Sequence, residues 1–126
     1  MPLPVEAPRY SYADYLTWGE NERIEIIDGE AVMMAPPSRI HQKISGELFR
    51  QIANFLEGKK CEVYPAPFGV RLFEASEDRP EDVDTVVEPD LVVVCDHDKL
   101  DKDGCKGAPD LVIEVLSPST QRHDRL

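Results

Sequence analysis

The sequence predicts a mixed α/β (α+β) fold, in which a central mixed sheet is flanked by helices. Three observations support this class. Residues 38–58 have the apolar spacing of one long helix, residues 23–34 have the pattern of a β-hairpin, and residues 88–95 and 110–116 are apolar runs of strand length. The chain has 126 residues, which predicts a single domain spanning 1–126.

The first elements are a short helix and a hairpin. Ser11 is a suitable N-cap, and Tyr12, Tyr15 and Leu16 follow on one face of the predicted helix. In "RIEIIDGEAVMM", the Asp-Gly pair at 28–29 separates two apolar runs, which is a strong signal for a two-residue hairpin turn.

The long helix is the clearest element of the sequence. Ser38 can cap its start and Gly58 can end it in the C′ position. Its apolar stripe consists of Ile40, Ile44, Leu48, Ile52 and Phe55. We therefore expect this stripe to pack against the sheet.

The second half of the chain predicts strands joined by polar connections. Residues 60–73 are rich in β-formers but interrupted by Pro65 and Pro67, which indicates two strand pieces or one kinked edge strand. Residues 74–88 are strongly acidic and are interpreted as a solvated loop. Residues 96–109 lack the residue order of a calcium loop, so we expect a polar loop with a turn at Asp103-Gly104. The last residues, "SPSTQRHDRL", have the pattern of a helix start.

The composition restricts the function. A net charge of −11 excludes a surface that is basic all over, although a small basic groove is compatible with it. The sequence has no apolar run near the ~18 residues that span a bilayer, and its first residues do not resemble a signal peptide, so we expect no membrane association and a cytoplasmic location. The three cysteines match no CxxC-type spacing and are interpreted as reduced thiols, in preference to a zinc site formed with histidines.

Two similar phrases, "EPDLVVVCD" and "GAPDLVIEVLSPST", carry the candidate site. If the two strands are antiparallel neighbours and Val92 faces Val112, then Asp90 faces Glu114. This follows because the residue numbers of opposed positions in an antiparallel pair add to the same total. Opposed residues point to the same face, with Cβ atoms roughly 4.5–5.5 Å apart. Two carboxylates would then meet at one edge of the sheet.

Two neighbouring carboxylates either share a proton or bind a cation. Hard cations such as Mg²⁺ favour oxygen ligands, and a bound ion activates water for attack on a phosphate ester. The alternative is structural: Glu114 points to solvent on an edge strand and Asp90 caps a turn after Pro89. The spacing alone does not decide between these two interpretations.

At these residues the sequence resembles the Uma2 (DUF820) family of the PD-(D/E)XK superfamily. The resemblance rests on "RIEIIDGEAVMMAPPSRIHQKI", "VYPAPFGVRL", "EPDLVVVCD" and "GAPDLVIEVLSPST", which occur in the family's order. It implies a restriction endonuclease-like core in which Asp90, Glu114 and the carbonyl of Val115 hold the metal ion. Leu116 stands where the superfamily has a lysine, and the family's own lysine would lie beyond Leu126.

The resemblance also implies a closing strand and helix that this sequence lacks, so that a partner chain could cover an open sheet edge. Weaker site candidates are Glu25, in an apolar strand, and His41, at the centre of the helix stripe; each also has a structural interpretation. Glu47 is expected to be solvated. The positive charges of Arg39, Lys43 and Arg50 could steer DNA phosphates or simply form a solvated face.

The sequence therefore supports two hypotheses about function. The first is an endonuclease that cleaves DNA phosphodiester bonds and depends on Mg²⁺, with Mn²⁺ as a substitute. The second is a nuclease fold that lacks its full catalytic set and acts as a binding or assembly module, with a homodimer or other homo-oligomer as the expected state. Neither the substrate nor its sequence specificity follows from the residues.

Overall fold

The structure is a computed structural model that describes residues 8–19, 22–73, 75 and 77–116. It contains two α-helices and nine strands within this part of the chain. The helices are α1 (Tyr12–Tyr15) and α2 (Arg39–Leu56), and the strands are β1 (Ile24–Ile27), β2 (Glu30–Met33), β3 (Glu62–Pro65), β4 (Gly69–Arg71), β5 (Val86–Val87), β6 (Leu91–Val94), β7 (Leu100–Asp101), β8 (Gly104–Lys106) and β9 (Leu111–Ile113). Short 3-10 turns lie at Pro80–Asp82 and His97–Lys99.

The strands form two sheets, where the sequence suggested one. A six-stranded sheet has the order β2-β1-β5-β4-β8-β7, and a three-stranded sheet has the order β3-β6-β9. The pairing of β4 with β8 is parallel and the other pairings are antiparallel, so the predicted mixed α+β class is confirmed. Residues 88–90 pass from β5 in the first sheet to β6 in the second.

The core lies where β6 meets the larger sheet. All four residues of β6 are buried, as expected of a central strand flanked on both sides. Val92 and Val94 pack with Val70 and Cys105, so side chains of the two sheets share one hydrophobic cluster. A second cluster is formed by Tyr12, Val83 and Val86.

Local signals in the first half of the chain are confirmed. Ser11 caps α1 in a capping box with Asp14. Asp28 and Gly29 have φ angles of 51° and 82°, as the two-residue turn between β1 and β2 requires. The side chain of Ser38 accepts a hydrogen bond from the main chain of His41 at the start of α2.

The interpretation of residues 74–88 as a solvated acidic loop is wrong for its second half. Val83, Thr85 and Val86 are buried, and β5 lies between β1 and β4. A strand of two residues is too short to show a period, and the acidic residues around it hide it in the sequence. The connection at 96–109 also contains structure that was not predicted, since β7 and β8 form a hairpin one residue away from the expected turn.

The apolar stripe of α2 is only partly covered, contrary to expectation. Ile40 and Ile44 are more than two-fifths exposed, and Phe55 is 68% exposed. A groove of about 300 Å³ remains between α2 and the three-stranded sheet. It is lined by Gln51, Ile52, Phe55, Leu56, Val93 and Leu111. Sequence periodicity identified the apolar face, but what covers such a face depends on tertiary structure.

The prediction of three reduced thiols is wrong for two of them. Cys61 and Cys95 form a disulfide, whereas Cys105 is free and buried. The register of β3 and β6 pairs Glu62 with Val94 and therefore places Cys61 opposite Cys95, with their Cα atoms 4.0 Å apart. A cysteine pair that is 34 residues apart in sequence becomes visible only once this pairing is known.

No helix among the described residues is long and apolar enough to cross a membrane.

Two glycines give opposite predictions for substitution by alanine. Gly104 has a φ of 150°, and a Cβ there would lie 2.1 Å from the carbonyl oxygen of Gly69 in the parallel neighbour. Gly104→Ala should lower the free energy of unfolding by about 1–3 kcal/mol, because backbone must move. Gly46→Ala, in α2 with nothing within 4 Å, should raise it by about 0.5–1 kcal/mol. Urea unfolding of both variants measures the difference; equal effects would contradict the β4–β8 pairing.

Candidate active site

The pairing of β6 with β9 has the register that the two similar phrases predict. The strands are antiparallel, and Val92 pairs with Val112 and Leu91 with Ile113. Continued by one residue, this register places Asp90 opposite Glu114. The register that the metal-site hypothesis assumes is therefore present, while the meeting of the two carboxylates and their metal-binding role stay predictions.

The aspartates of the two phrases make equivalent hydrogen bonds. Oδ2 of Asp90 accepts a hydrogen bond from the main-chain N–H of Val115 at 2.7 Å. Oδ2 of Asp110 accepts one from the main-chain N–H of Cys95 at 2.6 Å. Each carboxylate thus caps the end of the neighbouring strand. Asp90 therefore caps the end of β9 at Val115, and not the predicted turn after Pro89, and a function has to be argued from what else surrounds it.

The surroundings of Asp90 differ from those of its counterpart. Nε2 of His41 lies 3.1 Å from Oδ2 of Asp90, and the two side chains are only 14% and 12% exposed. Asp110, by contrast, is an exposed residue. Both contacts of Asp90 fall on Oδ2, and no described residue donates a hydrogen bond to Oδ1. One oxygen of this half-buried carboxylate therefore remains for a further ligand.

Glu25 brings a third carboxylate to this region. It lies on β1, and its Oε2 accepts a hydrogen bond from the main-chain N–H of Glu88 at 2.7 Å. Burial raises the pKa of Glu25, the Glu88 hydrogen bond opposes the rise, and the negative charges of Glu88 and Asp90 add to it. Glu25 is therefore close enough to Asp90 for the charge of Asp90 to affect its pKa, while its place in the site stays a prediction.

Glu88 is the residue of this region that sequence reasoning missed. It is 4% exposed, and its carboxylate accepts hydrogen bonds from the hydroxyl of Tyr15 at 2.5 Å and from Nε of Arg23 at 2.9 Å. Burial and the neighbouring Glu88 carboxylate raise the pKa of Tyr15 above its ordinary value. In the sequence Glu88 ends an acidic run, so only its position directly before Pro89-Asp90 sets it apart.

The remaining sequence candidates separate clearly. Glu47 is exposed and pairs with Arg50 on the surface of α2, as expected for a solvated residue. The residues of the alternative zinc site do not come together: Cys95 is in the disulfide, Cys105 is buried, and His97 contacts the carbonyl of Lys60. The helix start predicted in "SPSTQRHDRL" lies outside the described residues.

The oxygen donors suit a hard cation. Across the described part of the chain, no three side chains of His, Cys, Asp or Glu form a group that could hold a metal by themselves. Mg²⁺, however, is usually bound by one or two carboxylates and keeps several waters. Asp90, Glu114 and the carbonyl of Val115 stay the predicted ligands of such an ion, and burial, with the charges of Glu88 and Asp90, raises the pKa of the nearby Glu25.

The raised pKa of Glu25 predicts how stability depends on pH. The folded protein holds the proton of the Glu25 carboxyl more tightly than the unfolded chain does. The contribution of this proton to the free energy of unfolding is therefore present below the ordinary pKa of 4.5 and is lost as pH rises through the raised pKa. The Glu25→Gln variant cannot ionise at this position, so it should have a higher free energy of unfolding than the wild type at neutral pH. Its amide oxygen can still accept the hydrogen bond from Glu88.

Glu47→Gln is the matched control with the opposite sign. Hydrogen bonds from Arg50 and Gln51 lower the pKa of Glu47 to about 2, so its contribution is present above pH 4.5 and lost as pH falls. This exposed substitution should not stabilise the protein at pH 7. Thermal unfolding between pH 4 and pH 8 compares the variants; a Glu25→Gln protein less stable than wild type at pH 8 would refute the burial of this charge.

Comparisons with known proteins agree with this architecture. The family model Uma2, described as "Putative restriction endonuclease", matches residues 12–126. A curated relative, "Uncharacterized protein slr1290" from Synechocystis sp., is 32% identical over 120 residues, which is 94% of this chain and 59% of the relative. The chain thus spans about three-fifths of the length of that protein.

A solved structure shows the same fold. A protein from Anabaena variabilis, described as "a putative nuclease belonging to DUF820", superposes with a TM-score of 0.66 at 18% identity. The match covers 92% of this chain and 65% of that one, and at this identity it is evidence for fold alone. The architecture is consistent with the restriction endonuclease-like core that the sequence predicts. Since the family model covers nearly the whole sequence, the chain belongs to the Uma2 (DUF820) family.

Proposed function

We propose that the protein is a metal-dependent endonuclease that hydrolyses DNA phosphodiester bonds. The observation that carries the proposal is the β6–β9 register, which places Asp90 opposite Glu114 beside His41. The family description and the fold of the solved relative support the same class of activity. Mg²⁺ is the proposed ion, with Mn²⁺ as a substitute, because the donors are oxygens.

The proposed ligands are Asp90, Glu114 and the carbonyl of Val115. When bound, the ion would lower the pKa of an attacking water and neutralise charge that develops on the phosphate. The chain itself supplies orientation: the N–H of Val115 and the ring of His41 both fix Oδ2 of Asp90. Glu25, a carboxylate whose pKa burial raises, is the proposed proton acceptor.

The charge distribution supports a local approach of DNA to α2. The whole chain is acidic, with a net charge of −11, so phosphate contacts must come from a restricted surface. Arg39 and Lys43 are exposed one turn apart on α2, on a face other than the one from which His41 reaches Asp90. Arg50 is paired with Glu47 and contributes less. A lysine beyond Leu126 would complete the superfamily's set and stays an expectation from the resemblance.

A second candidate function is assembly through an exposed apolar surface. The groove between α2 and β9 is lined by apolar side chains, and Leu111 and Val112 on the edge strand β9 are both more than two-fifths exposed. Exposed apolar grooves next to an open strand edge favour protein association. We propose a homodimer through this surface, compatible with catalysis or replacing it.

Metal binding by paired variants tests the nuclease proposal. Asp90→Ala removes a proposed ligand and a strand cap, whereas Asp110→Ala removes the equivalent cap at the other end of the same strand pair. Calorimetric titration with Mn²⁺ should show at least about a tenfold loss of affinity for Asp90→Ala and wild-type affinity for Asp110→Ala. Cleavage of supercoiled plasmid in Mg²⁺ should follow the same order. Undiminished Mn²⁺ binding by Asp90→Ala would reject the assignment.

Dimerisation is tested by charge substitution on the groove. Phe55→Asp places a charge among apolar residues of α2. The dissociation constant of a dimer through this surface should therefore rise at least about tenfold, which corresponds to about 1.4 kcal/mol. Phe73→Asp is the control, because Phe73 is 89% exposed and does not line the groove. Sedimentation velocity measures both. A wild-type monomer, or equal effects of the two substitutions, would contradict this interface.

A further inference from the structure

The position of Asp90 depends on a short crossing between the two sheets. Residues 88–90 leave β5 in the six-stranded sheet and enter β6 in the three-stranded sheet. After the crossing, the carbonyl of Asp90 accepts a hydrogen bond from the N–H of Ala66 at 3.0 Å, which ties it to the end of β3. Before it, the chain is held by Glu88. Whatever fixes Glu88 therefore fixes the approach to Asp90.

Glu88 is held through both its side chain and its main chain. The hydroxyl of Tyr15 donates to Oε2 and Nε of Arg23 donates to Oε1, so each carboxylate oxygen has a partner. The main-chain N–H of Glu88 donates to Glu25. Three residues distant in sequence, from α1, β1 and the turn before β1, thus converge on one residue two positions before Asp90.

These contacts distinguish Glu88 from a metal ligand. Both of its oxygens already accept hydrogen bonds, one of them from a guanidinium group, and its side chain is 5% exposed. A buried carboxylate is tolerable because the Arg23 charge and the Tyr15 hydroxyl compensate it. Asp90 has the complementary arrangement, with one oxygen held and the other without a donor among the described residues.

We propose that Tyr15, Arg23 and Glu88 form a positioning network that sets the location of the Asp90 and Glu25 carboxylates. The network touches neither metal nor substrate; it acts through the main chain of the crossing. This inference deepens the proposed nuclease function and rests on it for its consequence in metal binding. The positioning itself is a property of the folded chain and can be measured without metal.

The first readout is the hydrogen bond between Val115 and Asp90. The N–H of Val115 is held by Oδ2 of Asp90, so its hydrogen exchange reports whether that carboxylate is in place. Tyr15→Phe removes one donor to Glu88 and keeps the ring that packs between Tyr12 and Trp18. In this variant the Val115 amide should exchange faster, towards the rate found in Asp90→Ala. Amides of the core strand β6 should be unchanged.

Tyr64→Phe is the matched control. Tyr64 also donates its hydroxyl to a glutamate, Glu62 at 3.1 Å, but on β3 and in an exposed position. Its removal should leave exchange at Val115 at the wild-type rate. Arg23→Lys is a second variant, which keeps the positive charge but moves the hydrogen-bond donor. It keeps the test decisive if Tyr15→Phe by itself fails to fold.

The second readout is Mn²⁺ affinity, which Tyr15→Phe and Arg23→Lys should lower by about tenfold, as loss of a supporting contact behind a ligand does. Faster Val115 exchange with weaker Mn²⁺ binding supports the network. Wild-type exchange and affinity in both variants would overturn it, even if Asp90→Ala abolishes binding. If wild type binds no Mn²⁺, the nuclease proposal fails, whereas exchange at Val115 still decides whether the network positions Asp90.

Discussion

The antiparallel pairing of β6 with its two neighbours is the constraint on which the rest of the structure depends. All four residues of β6 are buried, and Val92 and Val94 must meet Val70 and Cys105 from the larger sheet. A slip by one residue would turn every side chain of the strand to its other face, so core packing allows only one register. That register places Asp90 opposite Glu114 and brings Cys61 to Cys95 at the other end of the strand. The packing of the hydrophobic residues of β6 therefore determines where Asp90 lies, although Asp90 is not part of the hydrophobic core.

Gathering carboxylates where the chain crosses between the two sheets is unfavourable, and the protein compensates each of them differently. Glu88 is the most buried and receives a guanidinium and a phenol hydroxyl. Glu25 receives a main-chain N–H, and its pKa rises because burial and the neighbouring charges oppose ionisation. Asp90 receives a main-chain N–H and the ring of His41. Glu88 is thus held through both carboxylate oxygens, whereas the contacts of Asp90 fall on Oδ2 alone.

Helix α2 combines three roles along its length. Near its start, His41 reaches the candidate site, while Arg39 and Lys43 are exposed on another face of the helix and give an acidic protein a local positive surface there. Further along, Glu47 and Arg50 neutralise each other. Its apolar stripe then continues to Phe55 over a groove shared with β9. Two exposed cations and one wall of the apolar groove thus lie on the same helix, from which His41 contacts Asp90.

The sequence by itself determined the elements with strong local signals and the relation of the two similar phrases. The turn at Asp28-Gly29, the limits of α2 and the register of Val92 with Val112 were all predictable, because turn chemistry, caps and pattern alternation act over a few residues. The two-residue strand β5, the disulfide, the exposure of the α2 stripe and the network around Glu88 were not. Each joins residues far apart in the chain, such as Tyr15 and Glu88, whose contact leaves no periodic trace in the sequence. Only the tertiary structure decides which distant side chains come into contact, because the burial of a side chain and its hydrogen-bond partners are properties of the packed chain.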